Sequence, residues 1–170
     1  MRRTVIGVMG GSEANVATLA AAHELGSLIA REGWVLLNGG RAGGVMGASA
    51  RGAREAGGLT IGVLFDDDRE AASPDLDLVI PTGLGCARNI VNVLASDVVI
   101  ACRGNGGTLS EIAMALRVER PVVLLDFDPG RAFLDLCGPR GGSGGRWRLA
   151  ATPAEAVGHA RGFLASAGRA

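Results

Sequence analysis

Three times in this sequence a short apolar, β-branched run leads through a glycine-rich turn into a helix-forming segment. Residues 4–8 run into Gly10-Gly11-Ser12, and residues 34–37 run into Asn38-Gly39-Gly40-Arg41-Ala42-Gly43-Gly44. Residues 98–101 run into Arg103-Gly104-Asn105-Gly106-Gly107, with a helix expected to start near Thr108. A strand that feeds a helix in this way aims several backbone N–H groups at one spot, with the positive end of the helix dipole behind them. Such a spot favours an anion, most often a phosphate, and glycine admits it where a Cβ would stand in the way. No Lys-Ser or Lys-Thr follows the last glycine, and the spacing is not G-x-G-x-x-G, so neither familiar nucleotide loop is present.

The rest of the chain repeats the alternation. Helices are expected over roughly 14–31, over about 45–56, from 82–89 onward through Val91 and Leu94, and from Thr152. Ser12 is the expected cap of the first, whose Leu25, Leu28 and Ile29 face inward and which Gly33 ends. Thr152-Pro153-Ala154-Glu155 is a capping box, followed by Val157, Ala160 and Leu164 on one face. Further strands are expected at 59–65, 78–80 and 121–125, the last closing the sheet. Residues 66–77 read as an acidic surface excursion, and 127–147, with the glycine run 138–145, as a long flexible loop. This is the pattern of a single α/β domain over 1–170, an open, mostly parallel sheet with helices on both faces. Ligands of such sheets sit outside the carboxyl ends of the strands, onto which all three glycine turns open.

Composition removes several classes of function. Seventeen basic and seventeen acidic residues cancel, so no basic field invites nucleic acid or an anionic membrane. Every basic residue is arginine, which excludes a lysine Schiff base. Cys86, Cys102 and Cys137 are widely spaced and only His23 and His159 accompany them, so neither a disulfide framework nor a metal site is expected. The first residues lack the apolar stretch of a signal peptide, and no run is long enough for a membrane span. A cytoplasmic domain is expected.

Three motifs together resemble the Lonely Guy-type superfamily: Asn38-Gly-Gly-Arg-Ala-Gly-Gly-Val-Met-Gly47, Gly85-Cys-Ala-Arg-Asn89 and Gly104-Asn-Gly-Gly-Thr-Leu-Ser-Glu111. That superfamily, often mislabelled as lysine decarboxylases, holds cytokinin riboside monophosphate phosphoribohydrolases and molybdenum-cofactor carrier proteins. The resemblance covers roughly residues 5–125, and the Ala-Arg-Asn motif and chain length are closer to the carrier-like branch. It implies a Rossmann-like fold, a homodimer or homotetramer, and no required cofactor. The ligand it implies is a phosphorylated small molecule, nucleotide-like or pterin-like, with molybdenum cofactor among the candidates. The hydrolases carry Pro-Gly-Gly-x-Gly-Thr-x-x-Glu and an arginine-lysine pair. Here Arg103 stands at the proline, Asn105 at the second glycine and Asn89 at the lysine, while Arg88, Gly104, Gly107, Thr108 and Glu111 match. The resemblance implies catalytic roles for Arg88 and Glu111 at an N-glycosidic bond. From the glycine turns, ligand contacts are expected at Gly10, Gly11, Ser12, Gly40, Gly43, Gly44, Met46, Gly104, Asn105, Gly106, Gly107 and Thr108.

Each of these residues also has a plainer reading. Thr108-Leu-Ser-Glu111 is itself a capping box, which would spend Glu111 on a helix end. Arg88 could clamp a phosphate or form a salt bridge to Asp97 or Glu111. The glycines could serve tight turns and close packing alone. Arg41 and Arg103 sit inside glycine loops but arginine is everywhere in this chain. His23 and His159 read as surface or boundary histidines, and Cys102 as a small buried apolar residue. Two functions remain: a binding module for a phosphoester, or a nucleoside 5′-monophosphate phosphoribohydrolase releasing free base and ribose 5-phosphate. A DNA-associated relative of the same fold is disfavoured by the neutral charge and the 4% aromatic content.

Overall fold

A computed structural model describes residues 2–138 and 146–168. Its elements in chain order are β1 (Val5–Met9), α1 (Val16–Arg31), β2 (Val35–Asn38), α2 (Gly44–Glu55), β3 (Thr60–Leu64), β4 (Leu78–Pro81), α3 (Arg88–Ala95), β5 (Val98–Cys102), α4 (Gly106–Arg117), β6 (Val122–Leu125), α5 (Arg131–Cys137), β7 (Trp147–Ala150) and α6 (Pro153–Ser166). A 3₁₀ turn, Gly85–Ala87, precedes α3. The seven strands form one sheet in the order β4-β3-β2-β1-β5-β6-β7, and every pairing is parallel. The protein is thus a Rossmann-like α/β domain. Successive strands are laid outward from β1 to one edge, then from β5 to the other. The order reverses between β1 and β5, and at such a reversal the flanking loops diverge and leave a crevice.

The strand sequences show why both faces are covered. In β5 the two-residue period sends Val98, Ile100 and Cys102 into one layer and Val99 and Ala101 into the other, all at most 1% exposed. The first layer takes Leu25 and Ile29 of α1, Ala53 of α2 and Val157, Ala160 and Leu164 of α6. The second takes Val93 of α3, Ile112 and Leu116 of α4 and Leu134 of α5. Each fully buried Leu or Ile contributes roughly 1.5–3 kcal/mol of transfer free energy. Helices α1 and α2 meet backbone to backbone. A Cβ on Gly26 would lie 2.0 Å from the Ser49 carbonyl oxygen, and one on Gly52 would lie 1.9 Å from that of His23.

Three expectations are corrected. Asn15, not Ser12, caps α1, its Oδ1 accepting from the Thr18 N–H at 2.8 Å. β6 is not the last strand, because β7 pairs parallel to it at the sheet edge. The stretch expected as a flexible loop contains α5, seated by buried Leu134 and by the Arg131–Asp135 pair one helical turn apart. Residues 139–145 of the expected glycine loop lie outside the described residues. The acidic stretch 66–77 lies largely at the surface, as expected, and is tied to the β2 turn: the Ser73 N–H donates to the Gly40 carbonyl at 2.8 Å, and Arg41 and Ala72 form an antiparallel bridge. Among the described residues no helix is long and apolar enough to cross a membrane.

The Thr152 cap of α6 is present, and the return bond from Glu155 reaches one residue further back than a strict capping box. The Thr152 hydroxyl accepts from the Glu155 N–H at 3.2 Å, and Glu155 reaches back to the Ala151 N–H at 2.8 Å. Thr152→Ala is expected to lower the unfolding free energy by about 1 kcal/mol in urea titration with an unchanged denaturant slope. A loss below a few tenths would show that the docking of α6, not its cap, fixes that end.

Candidate functional site

The three glycine turns meet at the carboxyl ends of β1, β2 and β5, knitted together by main-chain hydrogen bonds. The Gly11 N–H donates to the Arg103 carbonyl (3.3 Å), and the Val45 N–H donates to the Gly11 carbonyl (3.0 Å). Asn38, fully buried at the end of β2, stiffens its own turn. Its Nδ2 donates to the Met46 carbonyl and the Ser49 hydroxyl, and its Oδ1 accepts from the Gly40 N–H at 2.8 Å. Between the turns lies a crevice of about 350 Å³. Gly10 and Ser12 line it from the β1 turn, Gly39, Arg41 and Met46 from the β2 turn and α2, and Phe65 from the end of β3. Arg88 and Asn89 of α3 and Asn105, Gly107, Thr108 and Glu111 of α4 complete the wall. A cavity of this size lies in the range of small-molecule sites.

Helix α4 starts earlier than expected, and this settles the position of Glu111. Asn105 is the N-cap, its Oδ1 accepting from the Gly107 N–H at 3.1 Å. Thr108 and Glu111 therefore lie inside the helix, and the expected Thr108–Glu111 capping box is not formed. Both side chains turn into the crevice wall, 3% and 6% exposed.

Glu111 faces Arg88, the first residue of α3, with Nη1 and Oε1 3.7 Å apart. Of the two partners open to Arg88, this one is realised. Asp97 is engaged at the opposite edge of the sheet, where it pairs with Arg2 and accepts from the Val5 N–H. Asn92, one turn beyond Arg88, donates its Nδ2 to Glu111 Oε1 at 3.3 Å. Burial pushes the Glu111 carboxyl up to about 7, opposed by Arg88 and by the Asn92 hydrogen bond. Burial also lowers Arg88 from the usual guanidinium range, with Glu111 opposing. Arg88 keeps its charge all the same, because a guanidinium does not release its proton under protein conditions. Gly39 makes this placement possible: a Cβ there would sit 2.8 Å from Arg88 Nη1. Arg88 is only 9% exposed, and its Nε has no acceptor among the described residues. A buried donor left in that state is costly.

The structure brings Gly10, Ser12, Met46, Arg88, Asn105, Gly107, Thr108 and Glu111 to the crevice wall. Gly40, Gly43, Gly44 and Gly106 lie outside it. Gly44 presses against the Ser12 backbone, and Gly40 against Leu64 and Gly62. Gly11, Gly104 and Arg103 line an adjoining cleft of about 390 Å³ that shares Ser12 and Asn105 with the crevice. A larger cleft, about 760 Å³, lies at the opposite edge of the sheet beside α6, away from the glycine turns and from Glu111. Asn89, at the position of the hydrolase lysine, donates to the Ser110 hydroxyl at 3.0 Å and so braces α3 against α4. Sequence reasoning missed Phe65 and Asn92. The signal for Asn92 was a lone amide in the apolar run Ile90-Val91-Asn92-Val93-Leu94, while Phe65 carried none. Cys102 is buried with its thiol pushed up to about 12 by burial, which keeps it protonated and inert.

Residues 3–152 match the model of the SLOG cluster4 family. The molybdenum cofactor binding protein of the phototrophic bacterium Rippkaea orientalis superposes with a TM-score of 0.89 at 45% identity, covering 96% of this chain and 99% of that one. The molybdenum cofactor carrier protein of Chlamydomonas reinhardtii gives 0.86 at 40% identity over 96% and 99%. A cytokinin riboside 5′-monophosphate phosphoribohydrolase of Mycobacterium tuberculosis is 35% identical over 144 residues, which is 78% of this chain and 77% of that one.

Proposed function

The chain belongs to the SLOG cluster4 family, and on that premise we propose that it binds a phosphorylated small molecule, nucleotide-like or pterin-like, in the crevice between the β1, β2 and β5 turns. One observation carries the reading: Arg88, nine-tenths buried, lines the same crevice as Thr108 and the N-terminal turn of α4. A phosphate there would meet a guanidinium, the Thr108 hydroxyl and the positive end of a helix dipole together. The likeness to two molybdenum-cofactor-binding proteins over almost their whole length supports a holding role. So do the residues Arg103, Asn105 and Asn89, where the hydrolase pattern has proline, glycine and lysine. A molybdopterin cargo fits through its phosphate and its ring. No cysteine lines the crevice among the described residues, so the wall offers no thiolate to the metal.

A second reading is favoured by Glu111. A carboxyl that titrates near 7 beside an arginine can hand a proton to a leaving base, or, once ionised, stabilise an oxocarbenium-like ribose. The phosphoribohydrolase relative supports it. The two readings part on one experiment: incubate the purified protein and Glu111→Gln with a panel of nucleoside 5′-monophosphates and follow free base by chromatography. The expected result is binding with no base released. Release that Glu111→Gln abolishes would make the protein a phosphoribohydrolase. A homodimer or homotetramer belongs to the same proposal, and light scattering behind size exclusion would read it: a monomer at micromolar concentration overturns it.

A further inference from the structure

The strand ends that meet at the crevice run in the order β3, β2, β1, β5, so it has two chemically different ends. At one, α4 and the β1 turn present Ser12, Asn105, Gly107 and Thr108, all small and polar. At the other stands Phe65, the sole aromatic residue in the lining among the described residues, 36% exposed at the end of β3. The Arg41 guanidinium lies over its ring, 4.1 Å from the centroid. Arg41 is held there from two sides. Its Nη2 donates to both carboxylate oxygens of Asp66, at 2.8 and 2.9 Å, and its backbone is bridged to Ala72. A guanidinium clamped over a ring by a neighbouring carboxylate restrains the ring and leaves that end of the crevice nearly neutral. Arg88, beside Gly39 of the β2 turn, faces Glu111 of α4.

We propose that the Phe65–Arg41 pair is the wall against which a flat heteroaromatic ring of the ligand stacks, so that the ligand is a ring-bearing phosphoester lying with its phosphate at the start of α4. This rests on the phosphoester reading above and goes beyond it by assigning the ring's place and the ligand's direction in the crevice. A bare sugar phosphate would satisfy Thr108 and Arg88 but leave the aromatic end uncovered. A purine or pterin would cover it with a stacked π-face, an interaction whose loss on truncation to alanine typically weakens binding roughly 5- to 100-fold. Asp66 acts through Arg41 as a positioning residue.

Calorimetric titration tests this with guanosine 5′-monophosphate, whose aminopyrimidinone edge is that of a pterin, and with ribose 5-phosphate. The unmodified protein is expected to bind the nucleotide about tenfold or more tightly than the sugar phosphate, on the same stacking scale. Phe65→Ala and Phe65→Leu should erase that margin while leaving ribose 5-phosphate affinity within about twofold, and Phe65→Trp should keep it. Phe65→Leu retains apolar bulk at a partly exposed strand end, so the variant separates loss of the π-face from loss of packing. A margin that survives in Phe65→Ala, or equal losses for both ligands, would overturn the wall and leave the phosphoester reading standing. Failure of the unmodified protein to bind either ligand would overturn the phosphoester reading, and the wall with it.

Discussion

Replacement of Glu111 by glutamine removes a pH dependence of stability that the unmodified protein carries between about pH 4.5 and pH 7. The unfolded chain gives up the Glu111 proton near the ordinary 4.5, whereas burial keeps it on in the folded protein up to about 7. Across that window the folded state binds more protons than the unfolded one, so stability falls as pH rises. The contribution is fully present below pH 4.5 and is lost as pH climbs through 7. A shift of this size corresponds to about 3 kcal/mol at most. Arg88 and Asn92 already oppose it, and without them the carboxyl would titrate higher still. Glutamine stays neutral throughout and keeps the oxygen that accepts from Asn92. Urea unfolding at pH 5 and pH 8 reads the effect as a double difference, in which the other titrating groups cancel. The unmodified protein should lose on the order of 2–3 kcal/mol more than Glu111→Gln between the two. Parallel curves would mean that the carboxyl titrates as an ordinary surface glutamate.

The second large effect has opposite signs on two helices. Gly26→Ala on α1 is expected to destabilise the protein by about 3 kcal/mol, because the new methyl meets the Ser49 carbonyl 2.0 Å away and the Ala53 nitrogen at 2.9 Å. Both are helix backbone and cannot swing aside, so α1 and α2 must part and loosen Leu25, Ile29 and Ala53 against the sheet. Gly162→Ala on α6 should instead stabilise by about 0.5–1 kcal/mol, since a Cβ there meets nothing within 4 Å and alanine is the better helix former. Helix propensity alone predicts the same gain at both sites. Urea midpoints for the two variants decide between them, and a gain at both would show that the α1–α2 contact yields more easily than its geometry implies.

The parts of the fold that were legible in the sequence are those fixed by local chemistry. β5 is an unbroken run of Val98, Val99, Ile100 and Ala101 ending in a glycine turn, and a strand buried on both faces needs that pattern. The convergence of three such turns followed from parallel topology. The elements that escaped depend on distant partners. β7 reads Trp147-Arg148-Leu149-Ala150, partly exposed, and is a strand because β6 lies beside it. α5 has only seven residues, too few to display a helical period. The start of α4 was misread because Asn105 and Thr108 are both good caps and two glycines stand between them. The bond from the Gly107 N–H to Asn105 decided for the earlier one. Phe65 was invisible as a site residue because its role depends on Arg41, on another strand's turn, and on how both face the crevice.

The bonds that knit the three turns run from main chain to main chain: Gly11 to Arg103, and Val45 to Gly11. Peptide groups are common to all residues, so these ties are blind to the side chains they join. Substitution at Arg103, whose carbonyl and not its side chain makes the tie, can change what the neighbouring cleft prefers without disturbing the frame that shapes it. Such a scaffold lets chemistry drift over descent while architecture stays still, and closely superposable relatives can then carry different names for what they do.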